Sequence, residues 1–439
     1  MELGIMKILI VENVWMGTQS YQFFDKFLLT AFSILPTLYA RQLAAITPKE
    51  HEVIVVNERY APINFQNHYN LVNINFTTST APRAYEIADT FRRKGVAVIL
   101  SGLHASAVPE EAKHHADSVL LGRGELNWLD LLADIKKKNL QPFYKEKTPE
   151  KSTLLPPTQV TLPGFVMTGA LEATRGCPYG CTFCPEGNLA GGSTFYKRPV
   201  EEVVQEIKSL PHKTLMFYDA SLTIDPSYTK ELFTNMKGLH KRFFCNGNAN
   251  VLAQDPELIR LSKEAGCVAW LIGFESISQK TLDAIGKSTN TASTYERAIH
   301  NIHQSGMAVI GCFIFGFDTD TPQIFKETLN EIMRLHVDIA DFCILTPFPG
   351  TPLYHQLEKE ERLLTKDWSR YNLKTPVFTP KQMTTEELVK GVQFLYQEFY
   401  SLPYTIQRVI RSLRYGIYPF FVVLARNSIA TMNSRRVFS

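Results

Sequence analysis

The sequence has little net charge and few cysteines, and both scarcities narrow the class of protein. Its 439 residues carry a net charge of only +3, which gives no argument for a nucleic-acid partner. Seven cysteines in a chain of this length do not resemble a disulfide framework, and the first residues do not resemble a secretory signal. We therefore expect a cytoplasmic protein whose thiols are kept reduced.

Long apolar runs are also missing, and one segment lacks acidic residues. No stretch of about 20 residues is apolar enough to cross a bilayer. Between 404 and 439 there is no Asp or Glu, although the segment contains Arg408, Arg411, Arg414, Arg426, Arg435 and Arg436 around an apolar run at 416–425. Two interpretations stay open. The segment is either a helical appendage with solvated arginines, or a peripheral element attracted to anionic lipid at the inner face of the membrane.

The first part of the chain alternates short β-branched runs with longer helical patterns. This alternation predicts an α/β, Rossmann-like (flavodoxin-like) parallel sheet covered on both faces. The predicted strands are 7–12, 51–58, 70–78, 96–102 and 118–125, and helical patterns include 20–46 and 81–95. Ligands of such sheets lie beyond the carboxyl ends of the strands.

Small and polar residues follow four of these strands, at 12–17, 77–80, 101–104 and 122–125. Glycines let a backbone approach a large ligand, and hydroxyls supply hydrogen bonds. The same residue types also build ordinary turns between strands and helices, so both interpretations stay open. The absence of G-x-G-x-x-G after the first strand disfavours a dinucleotide.

Residues 70–125 resemble the cobalamin-binding domain found in front of radical S-adenosylmethionine (SAM) enzymes. The resemblance implies that cobalamin is held at the strand ends by Glu12, Val14, Gly17, Thr77, Thr78, Ser79, Gly102, His104, Gly122, Gly124 and Glu125. Many cobalamin domains carry D-x-H-x-x-G after the first strand, and its histidine ligates cobalt. Val14 stands at the histidine position here, so the lower cobalt ligand is not given by this motif.

Three of the seven cysteines, Cys177, Cys181 and Cys184, lie within a span of eight residues in the segment TRGCPYGCTFC. A structural zinc site needs four ligands, and no second pair lies at the usual spacing. A disulfide with a spare thiol does not suit a reducing compartment, and unrelated core cysteines seldom cluster among Gly, Pro and Tyr. A 4Fe–4S cluster held by three thiolates, with one iron open, fits the pattern best.

The spacing C-x3-C-x2-C resembles the signature of the radical SAM superfamily. In that superfamily the open iron binds SAM, and one electron from the cluster releases methionine and a 5′-deoxyadenosyl radical. Strand-like segments at 169–176, 214–219, 242–247, 267–276, 307–316 and 340–347 predict a partial (β/α)6 barrel.

The resemblance also implies a set of SAM contacts at the strand ends of the barrel. They are Phe183, Tyr218, Asp219, Glu275, Ser276, Phe313, Gly316, Leu345 and Thr346. Each has a structural alternative, since Asp219 is also suited to cap a helix, Glu275 to pair with a nearby arginine, and the glycine to form a turn.

The domain organisation predicted from these patterns has four parts. They are a cobalamin-binding domain (1–140), a linker (141–168), the barrel (169–365) and a helical C-terminal region (366–439). In the last part, an amphipathic helix is predicted to begin at an N-cap at Thr384 or Thr385.

The whole chain resembles cobalamin-binding radical SAM enzymes. The resemblance implies methylation of an unactivated carbon in a small or lipid-like metabolite, with electrons from a reductase or flavodoxin-type donor. Three alternatives stay open at this point: a rearrangement, cyclisation or oxidation without methylation, a non-catalytic cobalamin-binding protein, and a SAM lyase without cobalamin.

Overall fold

The computed structural model describes residues 4–13, 38–58, 61–145, 147 and 168–433. Val14, Gly17 and most of the predicted linker lie outside these ranges. Six parallel strands form the first sheet in the order β2-β1-β3-β4-β5-β6. Their bounds are β1 Lys7–Asn13, β2 Glu52–Asn57, β3 Leu71–Phe76, β4 Ala97–Ser101, β5 Ser118–Leu120 and β6 Phe143–Tyr144.

Helices cover both faces of this sheet, because successive side chains of a strand point to opposite faces. Leu9 and Val11 pack into one buried apolar layer, and Ile8 and Ile10 pack into the other. The helices are α1 Tyr39–Ile46, α2 Ala81–Arg92, α3 Leu103–Ala107, α4 Pro109–His115 and α5 Trp128–Lys136. The predicted doubly wound sheet is confirmed, and it extends beyond the predicted domain boundary to β6.

A second parallel sheet follows in the order β14-β13-β12-β11-β10-β7, and a short antiparallel pair, β8 with β9, lies after its first strand. The bounds are β7 Thr168–Leu171, β8 Thr174–Arg175, β9 Tyr196–Lys197, β10 Thr214–Phe217, β11 Arg242–Asn246, β12 Cys267–Glu275, β13 Ala308–Phe315 and β14 Ile339–Ile344. The described parts of β7 and β14 do not pair, so the six strands form an open barrel as predicted.

Helices alternate with these strands and cover the outer face of the barrel. Their buried sides share one apolar core with residues such as Trp270, Ile272 and Val309 of the strands. The helices are α6 Pro185–Asn188, α7 Val200–Ser209, α8 Pro226–Met236, α9 Ala249–Gln254, α10 Pro256–Ala265, α11 Gln279–Ala284, α12 Tyr295–Gln304, α13 Gln323–Arg334 and α14 Pro352–Lys359.

The C-terminal region begins with a loop that joins the two sheets. Trp368 and Tyr371 lie in an apolar core of the first sheet, and the indole Nε1 of Trp368 donates to Glu111 Oε1 at 2.8 Å. This loop therefore fixes the first sheet against the barrel.

Helix α15, Thr385–Phe399, closes the exposed edge of β14. It begins as predicted, with a capping box in which the Thr384 hydroxyl accepts from the Glu387 N–H. The hydroxyls of Tyr396 and Tyr400 accept hydrogen bonds from main-chain N–H groups of β14. An edge strand needs such partners, because unpaired N–H groups invite further pairing.

Two further helices, α16 Leu402–Ser412 and α17 Ile417–Asn433, pack antiparallel as a hairpin. Contrary to the expectation of solvated arginines, Arg408 is 2% exposed and its guanidinium donates to Asn427 Oδ1 at 2.8 Å. Arg426 forms an ion pair with Asp341 at 3.2 Å. Arg435 and Arg436 lie outside the described residues. Within the described ranges, no helix combines the length and the apolar character needed to cross a membrane.

Candidate active site

The three clustered cysteines lie in a loop that follows β7, at the carboxyl ends of the barrel strands. Backbone hydrogen bonds close the loop: the Cys177 N–H donates to Gly192 O at 2.8 Å and the Cys184 N–H to Cys181 O at 3.1 Å. The amide of Asn188 donates to the carbonyls of Cys181 and Cys184 at 2.9 and 2.7 Å. The loop is thus held by its own backbone and by the side chain of Asn188.

Three glycines allow this closure because the loop leaves no room for a side chain. A Cβ on Gly176 would overlap the carbonyl oxygen of Thr194, and one on Gly192 would overlap that of Glu186. Gly187 meets the carbonyl of Tyr179 in the same way. Gly176 also has φ +81°, a conformation that side chains other than glycine rarely adopt.

The surroundings of the thiols fit an iron–sulfur cluster. Burial raises the pKa of all three, to about 11 for Cys184, and Lys287 lowers it in part. In the described part of the chain, no three His, Cys, Asp or Glu side chains are placed to hold a single metal ion. Thiolates that bind separate irons of one cluster need not converge on one point. The set therefore suits a 4Fe–4S cluster better than a mononuclear metal.

Lys287 is a site residue that the sequence did not reveal. Its Nζ lies 2.8 Å from Glu275 Oε1, and both side chains are largely buried. Burial opposes the lysine charge, but Glu275 and the nearby thiols raise the pKa of Lys287 overall. A lone lysine after a helix is ordinarily solvated, so no pattern in the sequence distinguished it.

Some of the predicted SAM contacts lie near the cysteine loop. Glu275 ends β12 with φ +61°, a strained value for a residue other than glycine, and this bend turns its carboxylate toward Lys287. Phe183 lies in the loop, its ring centroid 5.9 Å from that of Phe317. Tyr218 follows β10 and lines the cavity described below.

Other predicted SAM contacts have structural partners. Asp219 is fully buried and accepts hydrogen bonds from Thr174 Oγ1 at 2.6 Å and from the Ala173 N–H at 3.2 Å. Burial raises its pKa to about 6, although the Thr174 hydrogen bonds oppose this. Phe313 stacks on Phe274 inside the core of the barrel.

The remaining predicted SAM contacts lie at strand ends, and most of them form hydrogen bonds with residues nearby in the chain. Ser276 Oγ accepts from the Ser278 N–H at 3.1 Å, and the Gly316 N–H donates to Asp320 Oδ2 at 3.0 Å. Leu345 is buried, and the Thr346 hydroxyl donates to Ile344 O at 3.2 Å. Contact of these residues with SAM stays a prediction.

A cavity of about 570 Å³ lies between the carboxyl edge of the first sheet and the cysteine loop. The first sheet and its helices supply one wall and the barrel supplies the other. Predicted rim residues lining it are Glu12, Thr77, Gly102, Gly122 and Glu125, and lining residues from the barrel include Glu172, Arg175, Glu186, Leu189 and Tyr218. The cavity therefore adjoins both predicted cofactor regions.

Charged side chains connect the two walls. Arg175 forms ion pairs with Glu125 of the first wall and with Glu172 beside it, and all three are largely buried. Burial and the neighbouring Asp219 raise the pKa of Glu172 to about 8. Glu12 accepts from the Ala40 N–H at 3.1 Å, whereas its Oε2 is buried and has no hydrogen-bond partner among the described residues.

The other predicted rim residues that the structure describes do not line the cavity. His104 is fully buried between the rings of Phe76, Tyr85 and Trp368. Thr78, Ser79 and Gly124 also lie away from the cavity, as the ordinary-turn interpretation expects for the hydroxyls of 77–80.

The cavity wall has two features that suit a large ligand. A buried Glu12 oxygen on this wall has no hydrogen-bond partner among the described residues. A Cβ on Gly102, which has φ +106°, would overlap the backbone of Phe76, so this strand end stays open. Among the described lining residues there is no histidine.

Known families and relatives agree with this site. Residues 171–332 match the model of the radical SAM superfamily, and residues 351–419 match the model of a domain of unknown function, DUF4070. Bacteriochlorophyllide d C-12(1)-methyltransferase of Chlorobaculum tepidum is 31% identical over 379 residues, covering 82% of this chain and 81% of the relative. Bacteriochlorophyllide d C-8(2)-methyltransferase of the same organism is 31% identical over 351 residues, covering 75% and 78%.

A solved structure has the same fold over the whole chain. TsrM from Kitasatospora setae, with cobalamin and a [4Fe-4S] cluster bound, has a TM-score of 0.71 at 15% identity and covers 98% of this chain and 99% of its own. The likeness confirms the predicted fold class.

The fold and the three-cysteine loop define a radical SAM enzyme, a class that uses a 4Fe–4S cluster and SAM. Within it, the chain belongs to the radical SAM family that includes the two bacteriochlorophyllide methyltransferases.

Proposed function

We propose that this protein is a cobalamin-dependent radical SAM enzyme that methylates an unactivated carbon. One observation carries the proposal: a single cavity is bordered by the cysteine loop on one side and by the glycine-containing rim of the first sheet on the other. Methyl transfer to a carbon radical needs a radical source and a methyl donor at one substrate, and this arrangement would bring them together.

In this proposal Cys177, Cys181 and Cys184 hold the cluster, and Phe183, Tyr218, Glu275 and Ser276 contact SAM. Glu12, Thr77, Gly102, Gly122 and Glu125 hold cobalamin. When bound, the cluster and SAM supply a carbon-based radical, and cobalamin supplies a transferable methyl group.

The protein's own residues would position these groups and exclude water. Lys287 places a positive charge beside the thiolates, which favours addition of an electron. The ion pairs of Arg175 hold the two walls together across the cavity. Exclusion of water and of stray hydrogen donors protects a radical from side reactions.

The substrate we propose is a small or lipid-like hydrophobic metabolite. The relatives support this class, since their names include bacteriochlorophyllide methyltransferases and a hopanoid C-2 methylase from Rhodopseudomonas palustris. We further propose a flavodoxin-type electron donor, and a cytoplasmic location with peripheral membrane contact through the C-terminal hairpin.

Anaerobic turnover tests the proposal. Protein purified from cells grown with cobalamin is incubated with dithionite, SAM carrying a deuterated methyl group and an extract of hydrophobic metabolites. We expect a corrin absorption band, 5′-deoxyadenosine, and a metabolite that is heavier by the labelled methyl group.

Two results would contradict methylation while leaving the radical SAM class intact. 5′-Deoxyadenosine without any labelled product would indicate a rearrangement, cyclisation or oxidation. Absence of the corrin band would indicate a SAM lyase without cobalamin. If cobalamin binds but no 5′-deoxyadenosine forms while the cluster is present, the protein is a cobalamin-binding protein without this activity.

A further inference from the structure

We propose that the hairpin of α16 and α17 docks on a bilayer by immersing an apolar ridge, and that its arginines contribute little to the binding. This inference deepens the membrane contact proposed above and names the residues and the force responsible.

The ridge is the main exposed apolar feature of the described chain. Eight of its fourteen exposed large hydrophobic side chains lie between 402 and 421. Six of them, each 49–64% exposed, form the apolar ridge: Leu402, Ile406, Ile410, Leu413, Ile417 and Phe421. Along α16 their spacing is three or four residues, which places them on one face of the helix.

The turn between the helices continues the ridge from α16 to α17. It consists of the short 3-10 segment Leu413–Tyr415 followed by Gly416, which has φ +97°. Tyr415 points inward and stacks on His303 at 4.9 Å between ring centroids. Because this contact anchors the turn, Leu413 and Ile417 on either side of it face outward.

The arginines of the hairpin are mostly committed to the protein itself. Arg408 lies 3.8 Å from the ring centroid of Phe399 and bonds Asn427, and Arg426 pairs with Asp341. Arg411 donates to the backbone carbonyl of His336 at 3.2 Å. Among the arginines of the described hairpin, Arg414 alone is exposed. The surface that faces outward is therefore apolar rather than strongly basic.

Charge favours a bilayer as the occupant. The hairpin contains no Asp or Glu, so no carboxylate would be desolvated or repelled at an anionic membrane surface. Tyr404 and Tyr418 are also exposed, and tyrosine prefers the depth of the lipid headgroups. An amphipathic element of this kind lies in the plane of the interface.

The position of the hairpin leaves the active site free. Val423 of α17 packs on Ala269, Ala308 and Ile339, which lie near the amino ends of their strands. The cavity and the cysteine loop lie at the carboxyl ends. Docking through the ridge would therefore hold the enzyme at the bilayer without covering the cavity.

Vesicle co-sedimentation of the full chain tests the inference. Phosphatidylcholine vesicles are compared with vesicles that also contain phosphatidylglycerol, at low and high salt. We expect binding to both, with a dependence on anionic lipid of no more than about fivefold. The double substitution Ile410→Asp and Ile417→Asp should lower the partition coefficient at least about a hundredfold, and Arg414→Gln should change it by no more than about fivefold.

The matched control places Asp at two exposed leucines outside the ridge, Leu129→Asp with Leu364→Asp, and we expect it to bind like the unmodified protein. Production of 5′-deoxyadenosine is measured in parallel, so loss of catalysis is distinguished from loss of docking. Binding only to anionic vesicles, removed by salt, would overturn the inference while leaving membrane contact intact. Absence of vesicle binding, or a dimer that the ridge substitution dissociates, would also overturn it.

Discussion

The cysteine loop and the rim of the first sheet border one cavity but are built in opposite ways. The loop collects its ligands within eight residues and is closed by backbone hydrogen bonds, as between Cys177 and Gly192. The rim collects Glu12, Thr77 and Gly102 from three separate strands. The three cysteines and the glycines packed against loop carbonyls depend on one another, whereas rim residues contribute one at a time. Substitutions at these loop positions should therefore abolish or strongly reduce function, and those in the rim should have graded effects.

The largest effect is expected at the thiols. Cys184→Ala removes one of three iron ligands, so iron content and 5′-deoxyadenosine production should fall to background. The measurements are iron and sulfide analysis after anaerobic reconstitution, followed by liquid chromatography of the turnover mixture. Cys267→Ala is the control, because that thiol is buried in the barrel core and its loss should cost about 1 kcal/mol of stability without loss of the cluster. A Cys184→Ala protein that keeps its iron–sulfur spectrum would contradict the assignment.

Because backbone contacts close the loop, adding a single methyl group should also reduce cluster binding strongly, though less than loss of a thiol does. Gly192→Ala would force Cβ into the carbonyl of Glu186, so cluster occupancy should fall several-fold although no ligand is removed. Gly180→Ala is a matched control in the same loop, since a Cβ there meets no atom within 4 Å. Iron content per chain measures both. Equal occupancy in the two variants would show that the loop adapts and is not held by its glycines.

This contrast also explains what the sequence could reveal. The cysteine spacing and the alternation of strands and helices are local patterns, and from them the two-sheet fold and the cysteine loop could be predicted. The rim is dispersed, and whether a strand-end residue lines the cavity depends on packing. Gly102 and His104 belong to one segment after β4, yet Gly102 lines the cavity and His104 is buried in the core. His104 packs there against Trp368, which lies 264 positions later in the chain. Lys287 joins the site through its contact with Glu275, 12 positions earlier in the chain, and the bend at the end of β12 that allows this contact is not visible in the sequence.

Substitution of Lys287 tests whether a side chain beside the loop affects the reduction potential of the cluster. Lys287→Gln removes a cation beside the thiolates, so reduction of the cluster should become harder while the cluster itself persists. A charge effect of about 1 kcal/mol corresponds to roughly 40 mV for one electron. Potentiometric titration followed by electron paramagnetic resonance measures the midpoint. Lys287→Arg keeps the charge and should restore most of the potential, which a purely structural role of the lysine would not require. An unchanged midpoint in the glutamine variant would exclude tuning by this charge.

The smallest effect is expected at the rim, and it depends on pH. Burial raises the pKa of Glu12 from 4.5 to about 7, although the Ala40 N–H and Arg41 oppose the shift. The folded protein therefore binds a proton more tightly than the unfolded chain, and stability falls as pH rises from about 4.5 to about 7. Glu12→Gln lacks this loss, so it should gain about 3 kcal/mol relative to the unmodified protein at pH 8 and almost nothing at pH 4. Urea denaturation at both pH values measures the difference, with the exposed Glu110→Gln as control. Because Glu12 is one rim residue among several, cobalamin binding should survive the change, and its complete loss would show that the rim is as interdependent as the loop.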